Sequence, residues 1–545
     1  MVFVLLYHKP KSPEACYNKY LKPEWRNWQT RCLEGAVPER ACGFDSRLRH
    51  QQTMRLIKHS LSFSFATLLS RVLGYVRDAL IAYNFGVSQI TDAFFVAFRL
   101  PNTFRRLFGE GGFNAAFVPI YAKQVKEGKE REFLSSALGY YLLINLSVVL
   151  LGVLFAEYLI SIIAPGLRAK PYFDLAVFMG RWVFIYLLFV GLSAFFMALL
   201  NTRGVFFVPA FAQAIFNIGF SLVIALSAQG FGYYALIGGV LVGGFLQFAF
   251  HLPFLRGIPL GFSLRLHPDV RLLFKRLIPA LMGFGVAQLS FFIDTFLASF
   301  LALGAISYLY YANRIFQLPL GAISVGVANS LLSALSLGED GSKNITLAMR
   351  FLFLLSFPAV VGLFVFSEPI VRLLYGRGNF SGADVLMVSY VLKAYSLGLV
   401  FFSLQKALSS VFFAKGDTLT PMKASLLAIL SEGTSAIIYA FVLKLGAVGL
   451  ALGTATSSVF SFGYLLRKTY QLVDWQTLME SSVKVALASL LMGLFGLFLK
   501  EKIHLLLAVP MCIILYFSLL VLFREGLLVA SLSLGKGLVK KLLNP

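Results

Sequence analysis

Long apolar runs constrain the fold of this chain more than any other feature. After residue 54, runs of about 18 or more mainly apolar residues follow one another, separated by short links. A run of that length can cross the hydrocarbon core of a bilayer as one helix. Only 13% of the residues are charged, against about 25% in a soluble domain. The sequence therefore predicts an all-α polytopic membrane protein.

We predict fourteen transmembrane helices. They lie near residues 57–84, 91–123, 133–163, 174–200, 206–228, 232–254, 272–302, 305–336, 345–366, 385–413, 420–444, 447–467, 480–499 and 503–523. The links at 124–132, 255–271, 415–423 and 467–478 are basic, whereas the alternate links are short and nearly uncharged. Because basic links stay in the cytoplasm, both termini are predicted to be cytoplasmic. The link at 367–384, with two arginines on the outer side, is an exception.

The net charge of +23 follows from these basic links and not from a nucleic-acid-binding domain. We therefore expect no nucleic acid among the partners. Membrane lipids are the expected surroundings, and the protein is expected to act as a monomer.

Residues 1–53 differ from the rest of the chain. They hold three of the four cysteines and no apolar run long enough to span a membrane. The stretch Arg26–His50 resembles a translated transfer-RNA gene, so we interpret 1–53 as a mis-called start or a disordered extension, with Met54 as the true first residue. A small regulatory extension is the alternative.

An internal repeat divides the membrane region. Fourteen residues separate Gly86 from Pro101, and fourteen separate Gly304 from Pro319. Two further sparse matches follow in the same order and at nearly the same offset, so that the matching glycines are Gly86 and Gly304, Gly204 and Gly416, and Gly232 and Gly446. Six helices are an even number, so both copies have the same orientation. We predict a first lobe at 54–255, a second lobe at 256–470, and two extra helices with a cytoplasmic tail at 471–545.

The stretch Ser70–Pro119 contains many charges within predicted helices. They are Arg71, Arg77, Asp78, Asp92, Arg99, Arg105, Arg106 and Glu110. A charge at the centre of a bilayer costs about 2.5–3.5 kcal/mol on insertion scales, so these residues cannot all face lipid. We predict that several arginines line a cavity between the lobes and bind an anionic substrate.

On the first helix, Arg71 and Asp78 share a face, and Asp78 is expected to pair with an arginine. An ion pair between the lobes, without a ligand, is the alternative. On the second helix, Pro101 is expected to break the helix. Arg106 and Glu110 are spaced to pair, which leaves Arg105 as the better ligand.

Arg314 lies within an otherwise uncharged helix of the second repeat. It is predicted to line the same cavity. Its planar guanidinium suits a phosphate ligand, because it donates hydrogen bonds in pairs. For Arg105, a position at the cytoplasmic surface is the alternative.

A sodium site is predicted in the second lobe. Asp294, Glu432 and Thr454 bring oxygen atoms that suit a hard cation. The alternative is that the two carboxylates pair with Lys393, Lys406 or Lys444. We predict no other cofactor. The chain has no HExxH, Walker or GxSxG motif, so we do not expect an enzyme.

Three stretches, SRVLGYVRD, TDAFFVAFRLPNTFRRLFGEGGFNAAFVPIY and YYANRIFQLPLG, resemble the MurJ (MviN) family of lipid II flippases in the MATE-like exporter superfamily. The resemblance covers 54 to about 523. It implies transport of lipid-linked peptidoglycan precursor from the cytoplasmic to the outer leaflet of the bacterial inner membrane by alternating access, for cell-wall synthesis.

The resemblance also implies residue roles. Arg77, Arg105 and Arg314 would contact the diphosphate of the precursor, and the last two helices would form a groove for its lipid tail. The other matching polar positions are Arg71, Asp78, Asp92 and Glu110. Family members with a sodium site use helices 7, 11 and 12. Glu432 stands where an amide is common in the family, and the carboxylate expected one turn later is missing.

Three alternatives remain open at the level of sequence. One is a flippase for another lipid-linked glycan of the O-antigen type. Another is a MATE-type cation-coupled drug exporter, which the excess of arginine disfavours. The third is a membrane-embedded enzyme or scaffold, which the missing catalytic motifs disfavour.

Overall fold

The computed structural model describes residues 65–107, 113–286, 289–338 and 340–529. The proposed start at Met54, the segment 1–53 and the predicted site residue Glu110 lie outside these ranges. The first compact unit, Met1–Leu68, contributes only 65–68 to the described residues, and all that follows concerns the second unit, Leu69–Pro545.

The first half of the described chain is helical with no strand among its described residues. Its helices are α1 (65–85), α2 (Gln89–Leu107), α3 (Phe113–Lys126), α4 (Glu130–Leu154), α5 (Ala156–Ile163), α6 (Phe173–Thr202), α7 (Phe207–Phe231) and α8 (Tyr234–Ala249).

The second half, as far as it is described, is also helical without strands. Its helices are α9 (Pro268–Val286), α10 (Leu289–Ala298), α11 (Ala305–Pro319), α12 (Val325–Ser336), α13 (Gly341–Val365), α14 (Ser367–Tyr375), α15 (Gly382–Leu397), α16 (Leu399–Ala414), α17 (Leu419–Ile437), α18 (Gly446–Thr469), α19 (Trp475–Lys500) and α20 (Leu505–Leu522). A π-helical turn, Leu320–Ser324, joins α11 to α12.

Ten of the described helices are long and apolar enough to cross a membrane, or eleven if the bent pair α15–α16 counts as one span. This confirms a polytopic all-α membrane protein. The count of fourteen stays a prediction, because parts of the predicted spans 91–123 and 272–302 lie outside the described residues. Helices α2 and α3 fall in the first of these spans, and α9 and α10 fall in the second. The span 385–413 is bent by 41° between α15 and α16.

The predicted break at Pro101 is wrong. Helix α2 continues through Pro101 and ends at Leu107. The Thr103 hydroxyl donates to the carbonyl oxygen of Arg99, one turn earlier, at 3.0 Å. Helices in membranes tolerate proline where such side chains and neighbouring helices satisfy the backbone.

Polar caps mark where several helices begin. The carboxylate of Asp340 accepts from the backbone N–H groups of Ser342 and Lys343 at the start of α13. Ser381 and Asp384 form a reciprocal capping box at the start of α15, and Asp474 caps α19. These residues satisfy the first backbone donors of a helix, so the apolar run that follows can form a helix without exposing those groups.

Three apolar clusters hold the helices together. The first joins α1, α2, α6, α7 and α8 with α11, α15 and α18, so it includes helices of both predicted lobes. The second joins α3, α4, α6 and α9. The third packs the extra helices α19 and α20 against α13, a helix of the second predicted lobe.

The repeat is visible in the helices. Helix α4 has 25 residues, and one phenylalanine, Phe155, separates it from the short helix α5. Helix α13 also has 25 residues, and Phe366 separates it from the short helix α14. The same arrangement therefore occurs twice, with Phe366 in the place of Phe155. The boundaries predicted for the two lobes remain predictions.

Candidate functional site

A buried carboxylate joins two arginines from different parts of the chain. Asp78 on α1 is 0% exposed, and its Oδ1 accepts from Arg77 Nη2 at 2.7 Å and Nε at 3.0 Å. Its Oδ2 accepts from Arg314 Nε of α11 at 2.5 Å. The Tyr310 hydroxyl also donates to Oδ1, at 3.2 Å. Two guanidinium groups against one carboxylate give this cluster a net charge of +1, which suits an anion.

The exposure of the two arginines differs. The Arg77 side chain is only 7% exposed, whereas that of Arg314 is 29% exposed. Arg77 also lies over the rings of Phe216 and Phe220, at 5.9 and 5.4 Å from their centroids. Arg314 is thus the accessible member of the cluster, and Arg77 is the enclosed one.

Asn217 on α7 fixes Arg77 in place. Its Oδ1 accepts from Arg77 Nη1 at 3.2 Å, and its Nδ2 donates to the carbonyl oxygen of Ser70 at 3.0 Å. The sequence prediction missed this residue. Asn217 stands four residues after Gln213, so two amides share one face of a mainly apolar membrane helix. That spacing is a signal that could have found it, because such groups are costly unless they have partners.

Arg314 lies close to α1 because a glycine faces it. A Cβ atom added at Gly74 would lie 2.9 Å from Arg314 Nη2, closer than real Cβ contacts allow. The Tyr75 hydroxyl donates to the backbone carbonyl of Arg314 at 2.5 Å. In α11, Gln317 donates to Asn313 one turn away. Helices α1 and α11 therefore bring the predicted Arg77, Asp78 and Arg314 together.

Arg105 is held by amides of two helices. Its Nε donates to Asn102 Oδ1 and its Nη1 to Gln213 Oε1 of α7, both at 3.1 Å. The two amide acceptors orient the guanidinium of Arg105. Arg106 lies within α2, and its side chain is outside the described part.

Arg71 is exposed and lies against the second half of the chain. Its Nη1 is 2.7 Å from where a Cβ would stand at Gly321, in the π-helical turn. A residue without a side chain at this position leaves room for the guanidinium.

Asp92 belongs to a different group of contacts from Asp78. Its Oδ2 accepts from the backbone N–H of Gly304 at 2.8 Å, and its Oδ1 accepts from the N–H and hydroxyl of Ser307 at 2.9 and 2.6 Å. Asp92 therefore caps the start of α11, where a carboxylate is stabilised by the free N–H groups. The structure does not bring it into the Arg77–Asp78–Arg314 cluster.

The three residues of the predicted sodium site come together from α10, α17 and α18. The Thr454 hydroxyl lies 3.1 Å from Glu432 Oε1 and 3.4 Å from Asp294 Oδ1. The Tyr395 hydroxyl donates to Asp294 Oδ2 at 3.4 Å. Oxygen atoms from two carboxylates and a hydroxyl fit a hard cation. Within the described ranges, no group of three or more His, Cys, Asp or Glu residues could hold a metal, so this site offers only two charged ligands.

The position of Lys393 does not support the alternative in which it pairs with these carboxylates. The Lys393 Nζ atom lies over the rings of Phe364 and Tyr390, at 5.5 and 5.3 Å from their centroids. Arg99 of α2 is close enough to Asp294 for their charges to interact. Arg99 belongs to the first half of the chain, and no role was predicted for it from sequence.

Comparison with known proteins identifies the family. The family described as "Lipid II flippase MurJ" matches residues 81–518. A relative from Aquifex aeolicus, named "Probable lipid II flippase MurJ", is 39% identical over 87% of this chain and 95% of its own length. The chain belongs to the MurJ family.

Further MurJ proteins agree with this assignment. The "Lipid II flippase MurJ" of Burkholderia cenocepacia is 36% identical over 77% of this chain and 85% of its own length. A solved structure, "Lipid II flippase MurJ, inward closed conformation", has a TM-score of 0.77 and 31% identity, and covers 85% of this chain and 99% of that chain. The resemblance inferred from the three sequence motifs is confirmed.

A second solved structure places the fold in a wider group. An inward-facing MATE-family multidrug transporter of the MOP superfamily matches with a TM-score of 0.63 at 15% identity, over 76% of this chain and 98% of that chain. At this identity the likeness concerns the fold alone. It confirms the MATE-like architecture that the sequence predicted.

Proposed function

We propose that this MurJ-family protein moves lipid II, the lipid-linked peptidoglycan precursor, from the cytoplasmic to the outer leaflet of the bacterial inner membrane. The support is family membership together with the Arg77–Asp78–Arg314 cluster, which joins α1 to α11. It acts as a transporter and not as an enzyme. The two predicted lobes alternate between inward and outward openings.

The arginines would bind the diphosphate of lipid II. Arg314 and Arg105 are the first contacts in this proposal, because Arg314 is partly exposed and Arg105 is oriented by neutral amides. The diphosphate would compete with Asp78 for the guanidinium donors of Arg314 and Arg77. Substrate binding would then weaken the ion pair between α1 and α11 and change the relative stability of the two openings.

The substrate's other parts and the membrane complete the proposal. The polyprenyl tail stays in lipid along α19 and α20, which are apolar and partly exposed. Both termini lie in the cytoplasm, as the basic links indicate, and the protein works as a monomer. A cavity rich in arginine disfavours cationic drugs as substrates, and a lipid-linked glycan of the O-antigen type remains the second candidate because it also carries a diphosphate.

Sodium would bind at Asp294, Glu432 and Thr454. The cation would offset one negative charge of the two carboxylates, which both lie beside the Thr454 hydroxyl. Because these residues lie on α10, α17 and α18, occupancy would stabilise the packing of those helices.

Charge reversal at Arg314 tests the proposal. A strain depleted of its own lipid II flippase is supplied with the parent chain, Arg314→Glu, or the matched control Arg372→Glu, an exposed arginine that pairs with Glu368 on α14. We expect rescue of growth by the parent and the control, and none by Arg314→Glu at equal membrane levels. Rescue by Arg314→Glu would contradict the role of Arg314. Failure of the inserted parent would favour another lipid-linked glycan.

A further inference from the structure

The same kind of contact joins the two halves of the chain at two places, and both lie on the side predicted to be outer. Each place pairs the segment after a short helix, α5 or α14, with the end of α10 or α1 from the other half. The link at 376–381 includes Arg377, one of the outer arginines that the topology did not explain.

In the first contact, the segment after α5 lies on residues that follow α10. The Gly166 backbone N–H donates to Ser299 Oγ at 3.0 Å, and Lys170 Nζ donates to the carbonyl oxygen of Leu301 at 2.6 Å. A Cβ atom added at Gly166 would collide with the carbonyl oxygen of Ser299.

In the second contact, the segment after α14 lies on the end of α1. The Asn379 backbone N–H donates to the carbonyl oxygen of Tyr83 at 2.8 Å, and its Nδ2 donates to the carbonyl oxygen of Asn84 at 2.6 Å. A Cβ atom at Gly378 would collide with the same Tyr83 oxygen, and one at Gly86 would collide with the Asn379 oxygen.

The two contacts occupy corresponding segments of the repeat, although the individual contacting residues differ. Tyr83 and Leu301 each stand three positions before the matching glycines Gly86 and Gly304. The sequence separation between Gly166 and Gly378 equals that between Gly204 and Gly416, another matching pair of the repeat. In each contact, the absence of a side chain on a glycine lets a backbone carbonyl of the other half approach closely. A polar side chain beside the glycine donates to a neighbouring backbone carbonyl.

We infer that these two contacts form a pair of outer clasps that hold the outer side of the transporter closed and must both open when substrate leaves. The clasps are Gly166–Lys170 on Ser299–Leu301, and Gly378–Asn379 on Tyr83–Asn84. This inference rests on the proposed function for the orientation and for the need to open. Each clasp consists of a few hydrogen bonds, most of them to backbone carbonyls, and water can take the place of these partners when the clasp opens.

The test measures whether the outer side opens more often when a clasp is weakened. The four native cysteines are replaced by serine, and Val87→Cys supplies a probe. Val87 is partly buried and faces Gly304 of the other half. A membrane-impermeant maleimide added to spheroplasts then reports the outer accessibility of residue 87.

The clasp variants are Gly166→Ala and Gly378→Ala. Their matched controls are Gly230→Ala and Gly382→Ala, where an added Cβ meets open space. Gly166 lacks the left-handed backbone that Gly378 has at φ +62°, so Gly166→Ala tests the contact alone. We expect at least a threefold faster reaction in each clasp variant, a still faster one in the double variant, and no change in the controls.

Asn379→Ala removes a side-chain hydrogen bond, and Lys170→Met removes a hydrogen bond together with the ammonium charge over the Tyr172 ring. These two variants serve if a glycine variant fails to reach the membrane. Labelling rates equal to the parent's in these two variants would overturn the clasps. The measurement needs no lipid II, so it is independent of the growth test. If the parent failed to rescue growth while the clasp variants still labelled faster, the substrate assignment would fail and the clasps would stand.

Discussion

One carboxylate, Asp78, determines what the arginine cluster can do. It compensates Arg77 and Arg314 inside the membrane, where an unpaired charge is costly. Its removal leaves two adjacent guanidinium groups with no carboxylate between them. The same residue therefore stabilises the protein at rest and, in the proposed function, would compete with the anionic substrate for the guanidinium donors.

We expect Asp78→Asn to lower the free energy of unfolding by about 3–5 kcal/mol, the usual cost of removing one partner of a buried pair. The measurement is unfolding of the detergent-solubilised protein. The control is Asp174→Asn, an exposed aspartate at the start of α6, which should change stability by less than about 0.5 kcal/mol. Pyrophosphate should restore more stability to Asp78→Asn than it adds to the parent. An equal effect on both proteins would contradict an anion site at this cluster.

The proposed sodium site also depends on single residues. Thr454→Val removes the hydroxyl that bridges Asp294 and Glu432 at nearly the same volume. If sodium binds there, a sodium concentration of 100 times the Kd raises the free energy of unfolding of the parent by about 2.7 kcal/mol. Thr454→Val should lose most of this stabilisation. Thr456→Val is the control, because its hydroxyl only donates to the Leu452 carbonyl of the same helix. Equal unfolding temperatures of the parent in sodium and in choline would rule the site out.

At the scale of elements, a buried ion pair fixes the two extra helices to the second predicted lobe. Glu525, just after α20, accepts from Arg350 Nη2 of α13 and from the Ser481 hydroxyl of α19, both at 2.8 Å. The Tyr516 hydroxyl donates to the Leu354 carbonyl at 2.6 Å. Helices α19 and α20 are thus held to α13 by polar contacts and by the third apolar cluster.

We expect Glu525→Gln to destabilise the protein by about 3 kcal/mol, because Arg350 loses its buried partner. Glu480→Gln, in an exposed pair with Lys484 of the same helix α19, should cost less than about 1 kcal/mol. Equal losses of stability in the two variants would contradict the anchoring role of Glu525.

The pH dependence of the Glu525 pair has a defined sign. Burial by itself would raise the pKa of Glu525, but hydrogen bonds from the Leu528 N–H, Ser481 and Arg350 hold this pKa below its ordinary value of 4.5. A lowered pKa means that the stabilisation is complete above the unfolded pKa and is lost as the pH falls through the folded pKa. The parent should therefore lose more stability than Glu525→Gln below about pH 4.5.

At the scale of the whole molecule, buried polar contacts join the two halves of the chain. Arg314 reaches Asp78 across 236 residues, and Asp92 accepts from the N–H of Gly304, 212 residues later. The same halves meet at the outer clasps. All of these contacts lie within 65–529, the part of the chain that the structure describes.

We predict that a chain started at Met54 supports growth of the flippase-depleted strain as well as the full chain does. The reason is that every described site residue follows Met54. Growth is measured at matched membrane levels of the two forms. Rescue by the full chain alone would restore a role to the segment 1–53.

Much of this protein could be predicted from sequence, because membrane insertion is governed by local composition. Apolar runs of sufficient length predict helices, and charges inside them are too costly to face lipid. Those two facts predicted that Asp78 pairs with an arginine and that Arg314 lies away from lipid. The repeat likewise needed only spacing, and the structure shows it again in α4–α5 and α13–α14.

Tertiary structure alone decided the partners. Helical periodicity specifies the face a side chain occupies but not which distant helix lies opposite. Spacing therefore could not show that Arg314 binds Asp78, that Asn217 fixes Arg77 or that Asp92 caps α11. The break predicted at Pro101 was wrong for the same reason, since contacts from neighbouring groups decide whether a helix continues through proline. Sequence determined the class of protein and its costly charges, and packing determined how each charge is compensated.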